Sequence, residues 1–144
     1  MTLDDARDLL KVWTHEAQTP ETNRLDVVVT AGDLLAAVAA LRASHWGYLS
    51  AITGLDHGRE VGVLEVLYHF CSGAAVVTLR VSTARENASV PSVAHLIPPA
   101  VVFERELREM FGITVIGIPN ADPLFLPDDW EPNVYPLRKD ARLE

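Results

Sequence analysis

The sequence predicts an α+β domain with the element order α-β-α-β-β-β-α, a mostly antiparallel sheet with helices packed on it, and an extended proline-rich C-terminal tail. Three observations carry this expectation. Apolar residues recur at helical spacing in three separated stretches, and valine-rich runs bounded by turn residues lie between them. From Ile113 onward, Pro119, Pro123, Pro127, Pro132 and Pro136 follow so closely that neither a helix nor a central strand can run through. A chain of 144 residues supports one core of useful size, so residues 1–112 are expected as the domain and residues 113–144 as an extended docking arm.

The elements follow in order. Thr2 precedes Leu3-Asp4-Asp5 as a helix cap with acids in the first turn, and Leu3, Ala6, Leu9, Leu10 and Trp13 share one helical face. The polar run from Gln18 to Asn23 breaks that helix, and Leu25 to Thr30, rich in β-branched residues, predicts a strand. Asp33 is placed to cap a second helix running through Arg42. Tyr48–Asp56, Val61–Cys71 and Ala74–Val81, joined by turns at Asp56–Glu60 and Ser72-Gly73, form an antiparallel meander. Their near-continuous apolar character implies a strand covered on both faces or a subunit interface on one. Ser89–Ser92 is loop-like. Pro98-Pro99 opens a third helix from Ala100 to Phe111, which Gly112 closes in the left-handed conformation. On it Phe103, Leu107 and Met110 share a face, and Glu104 is set to pair with Arg108 on the surface.

Composition excludes several functions. The net charge of −8 and the presence of only Lys11 and Lys139 as lysines argue against nucleic-acid binding, which depends on clustered cations. Cys71 is the single cysteine, so this chain alone forms no internal disulfide and no cluster held by several thiolates; its apolar surroundings predict a buried, inert thiol. The N-terminus lacks the regions of a signal peptide, and no apolar run approaches the roughly 20 residues of a membrane span. Membrane association is therefore expected through partners and not by direct insertion.

Catalytic motifs are missing too. His15, His45, His57, His69 and His95 stand apart, without metal-ligand spacing. There is no glycine-rich dinucleotide turn, phosphate loop or nucleophile elbow, so no catalytic residue, metal or cofactor is assigned. The unusual feature is Leu124-Phe125-Leu126-Pro127-Asp128-Asp129-Trp130, with large apolar groups in a segment unable to form a regular core element. Such a segment lies in a groove, either on this domain or on another protein.

Glu104-Arg105-Glu106-Leu107-Arg108-Glu109-Met110-Phe111-Gly112-Ile113, then Leu126-Pro127-Asp128-Asp129-Trp130, then Pro136-Leu137-Arg138-Lys139-Asp140, closely resembles the signature of the thirty-kilodalton subunit family of respiratory complex I, the NADH-quinone oxidoreductase. The match covers about the last third of the chain. Departures occur at Glu109, where the family often has Asp, and at Ile118-Pro119 and Asp122-Pro123 in the connecting segment. The resemblance implies a non-catalytic peripheral-arm subunit without a redox centre. Its partners would be the quinone-pocket subunit, of the forty-nine-kilodalton type, and neighbouring peripheral-arm subunits. The complex would hold it in the cytoplasm against the inner face of the cell membrane. Glu104, Arg105, Glu106, Leu124, Phe125, Leu126, Asp128, Asp129, Trp130, Arg138 and Lys139 are the expected interface, with Trp130 the strongest anchor. The equivalent module of membrane-bound energy-converting nickel-iron hydrogenases is the alternative, and a free-standing regulatory or ligand-binding domain is a third class.

Overall fold

The computed structural model describes residues 1–141; positions 142–144 of the expected arm lie outside the described residues. Helix α1 (Leu3–Leu10) begins as the sequence predicts. The Thr2 hydroxyl accepts from the Asp5 N–H while the Asp5 carboxylate accepts from the Thr2 N–H, a reciprocal pair that satisfies two helix-end donors. Helix α2 (Leu34–Ala43) starts where expected, but Asp33 makes no side-chain cap. Instead Thr30 closes the preceding turn, its hydroxyl accepting from the Asp33 N–H, so the turn does the work assigned to the aspartate.

Five strands form the main sheet: β1 (Glu16–Gln18), β2 (Arg24–Val28), β3 (Tyr48–Asp56), β4 (Val63–Ser72) and β5 (Ala75–Ala84). Their spatial order is β1-β2-β5-β4-β3; β2 runs parallel to β5 and the other pairings are antiparallel. Strand β1 is absent from the sequence expectation, because its three residues are exposed and carry no large apolar side chain, and it is held by main-chain pairing at a sheet edge. Ser89–Pro91 and Thr114–Ile116, expected as loop and tail, are instead strands β6 and β7 of a small parallel sheet. Each is three residues long, too short for periodicity to show, and they meet only because helix α3 (Ala100–Phe111) carries the chain back between them.

Register sorts the side chains of the main sheet. Leu64, Val66, Tyr68 and Phe70 of β4 lie opposite Thr83, Val81, Leu79 and Val77 of β5, and Val77 and Leu79 lie opposite Leu25 and Val27 of β2. This face takes all three helices through Ala6, Leu10, Leu34, Val38, Leu41, Leu107 and Phe111, which join it in one buried cluster. Trp46 is fully buried, and its indole N–H donates to the Thr2 carbonyl at 2.8 Å, tying the start of α1 to the end of α2. The opposite face carries Leu67, His69 and Cys71, all only partly buried. Strand β4 is thus covered by helices on one face alone. Cys71 accordingly is half-buried, not buried as expected, with its thiol against the Ser50 hydroxyl.

Helix α3 packs on β3 at Gly54, where an added Cβ would stand 2.5 Å from two carbons of the Phe111 ring. Gly54→Ala is expected to cost about 1–3 kcal/mol by overpacking this contact. Denaturant unfolding of Gly54→Ala, Phe111→Leu and the double variant checks it. The double variant should lose less than the sum of the two singles, because the shorter side chain leaves room for the methyl group.

Candidate partner-docking site

Pro99 leads into α3 and Gly112 ends it with φ +68°. Its N–H donates to the Arg108 carbonyl, and a side chain there would overlap the Tyr135 ring, so the helix stop also admits the tail against the helix end. Ala100, Glu104, Leu107 and Phe111 are buried at helical spacing, which turns Arg105, Arg108 and Glu109 away from the core.

The Glu-Arg-Glu triplet therefore divides. Glu104 is fully buried; its carboxylate accepts from the Ser92 hydroxyl at 2.7 Å and from the Val93 N–H at 2.8 Å. The expected surface pair with Arg108 does not form, because Glu104 lies on the core face of α3 while the Arg108 guanidinium donates to the Ala121 carbonyl at 2.6 Å. Burial raises the pKa of Glu104 and outweighs the opposing hydrogen bonds from Ser92 and Val93. Arg105 instead faces the tail, donating to the Asp122 and Pro123 carbonyls at 2.8 and 2.7 Å. Glu106 is half-buried.

Along the tail, the Leu124 and Phe125 N–H groups donate to the two oxygens of Glu109, at 2.6 and 2.8 Å. Leu124 and Leu126 are half-buried, Phe125 is 57 % exposed, and Asp128 and Asp129 are exposed. The half-buried Trp130 donates its indole N–H to the Val134 carbonyl within its own turn. Arg138 donates to the Phe111 carbonyl at 2.6 Å and lies over the Tyr135 ring. The Lys139 side chain is not what engages the domain; its backbone N–H donates to Asp56 at 2.7 Å.

That last contact belongs to a clasp. Asp56, at the end of β3, also accepts from the Gly58 N–H and from Arg85, whose guanidinium reaches Asp140 as well. Asp56 and Arg85 are both buried. Burial opposes the ionisation of Asp56, but hydrogen bonds from Lys139, Gly58 and Arg85 prevail and hold its pKa below the ordinary value. A second polar group occupies the helix-free sheet face, where Arg80 bridges Glu65 and Asp26 and His57 also contacts Glu65. Among the described residues no group of three or more His, Cys, Asp or Glu side chains is placed to hold a metal ion.

Sequence reasoning marks Arg108 only as a surface partner of Glu104 and Glu109 only as a departure from the family pattern, and it does not single out Asp56 or Arg85 as groups that hold the tail. The Asp-x-Gly pattern at Asp56 marks a turn. Nothing local marks Arg85, whose partners are 29 and 55 positions away.

A family model described as "Respiratory-chain NADH dehydrogenase, 30 Kd subunit" matches residues 27–144. Formate hydrogenlyase subunit 5 of Escherichia coli is 35 % identical over 90 % of this chain, which spans only 23 % of that protein. The C-type subunit of NADH-quinone oxidoreductase from Moorella thermoacetica is 34 % identical over 82 % of this chain and 80 % of its own length. The same subunit from two Roseiflexus strains is spanned over about half its length, 55 % and 56 %. A chain in the structure of the membrane-bound sulfane sulfur reductase, an archaeal respiratory membrane complex, shares the fold with a TM-score of 0.81 at 22 % identity. That match covers 98 % of this chain and 85 % of the other.

Glu104 generates a test of stability. Its folded-state pKa is raised, so the native state holds more protons than the unfolded chain between the ordinary glutamate value and the folded value. Its contribution is present in full below that window and declines as pH rises through it. Glu104→Gln should remove this decline, measured as the difference in unfolding free energy from the parent across pH 4 to 9. Glu104→Leu should cost about 1–3 kcal/mol below that window by leaving Ser92 and the Val93 N–H unpartnered, and the difference from the parent should narrow as pH rises through it. Equal pH dependence in the parent and Glu104→Gln would overturn this account.

Proposed function

The chain belongs to the 30 Kd subunit family of respiratory-chain NADH dehydrogenases, and on that premise we propose that it is a non-catalytic peripheral-arm subunit of a complex I type NADH:quinone oxidoreductase. In this reading it docks through the segment after α3 onto the larger subunit that forms much of the quinone pocket. In the same reading the complex holds it at the inner face of the cell membrane; no helix among the described residues is long and apolar enough to cross a membrane. The observation that carries the reading is the extent of the family match, which runs through α3 and the whole segment after it.

The chemistry of that segment supports docking. Its prolines restrict the unbound chain, so less conformational entropy is lost when a partner orders it. Phe125, Leu137 and Ile116 remain exposed as large apolar groups on or beside it. Leu124, Leu126 and Trp130 add partly covered apolar surface, Asp128 and Asp129 flank it, and Arg138 and Lys139 mark its clasped end. Asp56 and Arg85 anchor that end to the domain. The intervening stretch is then a loop held at both ends.

A second reading, the equivalent module of a membrane-bound energy-converting hydrogenase, is consistent with the formate hydrogenlyase and hydrogenase-4 relatives, each of which matches 90 % of this chain. The two differ in what the complex does and not in how this chain would dock.

The test is purification of the full-length tagged protein from its native host. The expected result is stoichiometric recovery of a larger quinone-pocket subunit, with NADH-dependent quinone reduction by the complex. Hydrogen evolution instead would select the second reading, and recovery of the chain alone would overturn both. Truncation before Leu124 should abolish recovery of the larger subunit. It should also lower the melting temperature, because Asp56 and Arg85 lose Lys139 and Asp140.

A further inference from the structure

Five consecutive residues, Ala121 to Phe125, each give one main-chain group to a charged side chain of α3. The carbonyls of Ala121, Asp122 and Pro123 accept from Arg108 and Arg105, and the N–H groups of Leu124 and Phe125 donate to Glu109, all between 2.6 and 2.8 Å. Arg105, Arg108 and Glu109 stand at i, i+3 and i+4, one face of the helix. The sign of each charge matches the group it meets: cations where the loop turns carbonyls inward, a carboxylate where it turns N–H groups inward. Pro123 has no N–H and contributes its carbonyl.

Contacts of this kind specify the path of the backbone and leave the side chains unused. Phe125, at the end of the pinned stretch, is 57 % exposed although it is a large apolar residue. The surrounding stretch from Pro119 to Val134 contains Asp122, Asp128, Asp129 and Glu131 and no lysine or arginine. A surface complementary to it is apolar where it meets Phe125 and basic around that point.

We propose that α3 is a template that pre-forms residues 121–125 into a finger, and that Phe125 on this finger inserts into an apolar pocket with a basic rim on the larger protein partner. The inference rests on the docking reading above and deepens it by naming the anchor, the chemistry of the pocket and the residues that prepare the anchor. Arg105, Arg108 and Glu109 are positioning residues. They act through the loop, whose backbone is ordered before the partner arrives, so binding does not bear that ordering cost.

Full-length protein tests it in two measurements. In the free protein, amide hydrogen exchange should show protection of Leu124 and Phe125, lost in Glu109→Ala while amides of β4 and β5 stay protected; Glu109→Gln, keeping one acceptor, should be intermediate. With the larger subunit immobilised, Phe125→Ala should weaken binding about tenfold or more, mainly through faster dissociation. Glu109→Ala should weaken it as well, and the double variant should be little worse than Phe125→Ala alone, because the template acts through the anchor. Rising salt should slow association, and Asp128→Asn with Asp129→Asn should reduce that salt dependence. Free exchange of the two amides in the parent, unchanged binding by Phe125→Ala, or additive effects in the double variant would overturn the template while leaving the docking reading in place. Salt-insensitive association would overturn the basic rim. A parent protein that does not bind the larger subunit would overturn the docking reading and the template with it.

Discussion

The seating of the Phe111 ring on the bare backbone of Gly54 sets the position of α3 and, through it, of the described segment that follows. A helix can approach a strand that closely only where the strand has no side chain, and the ring fills the space a methyl group would need. With α3 held there, the rotation of the helix about its axis is determined by which residues are buried. Ala100, Glu104, Leu107 and Phe111 go in, so Arg105, Arg108 and Glu109 must come out. The same contact brings the end of α3 beside β3, where Gly112 reverses the chain and Asp56 waits for the backbone of Lys139.

Charge is used in two opposite ways around this helix. Glu104 accepts from the neutral Ser92 hydroxyl and Val93 N–H; burial disfavours its ionised form, outweighing those hydrogen bonds and the coulombic effect of His95, and the hydrogen bonds staple the stretch after β6 to α3. Asp56 is just as buried but collects two N–H groups and a guanidinium, which together favour the carboxylate. A buried carboxylate with neutral donors and one with a cation thus respond to pH in opposite directions. The first loses its contribution as pH rises through its raised pKa, and the second as pH falls through its lowered one. The Arg85–Asp56 contact is therefore a conditional fastening of the tail, whereas the Gly54–Phe111 contact is apolar and indifferent to pH.

The architecture also divides the surface between packing, internal ion pairing and what is left for contact. One face of the main sheet is consumed by packing three helices, and the other carries an ion-paired group built on Arg80 whose charges largely satisfy one another. What remains available is the segment after α3, whose polar main-chain groups are bonded inward and whose apolar side chains are partly turned outward. Relatives in which this module makes up about a quarter of a longer protein fit a unit shaped to be one part of a larger body.

Much of the fold was legible in the chain itself. The Thr2 cap, the limits of α3, the left-handed turn at Gly112 and the meander of β3, β4 and β5 all rest on interactions spanning a few residues, or on a period that repeats along an element. The segment from Leu124 to Trp130 was legible as unusual for the same reason: large apolar residues among prolines violate a local rule. The three short strands, the parallel pairing of β2 with β5, the inward turn of Glu104 and the clasp at Asp56 were not. Each depends on residues far apart in sequence, as in Asp56 with Lys139, and a main-chain hydrogen bond or a buried carboxylate leaves no periodic trace. Sequence by itself therefore determined the three helices and the longer strands, because propensity and spacing act locally. Only the tertiary structure decided which acids are buried and which charges grip the tail, because burial depends on what the rest of the chain brings alongside.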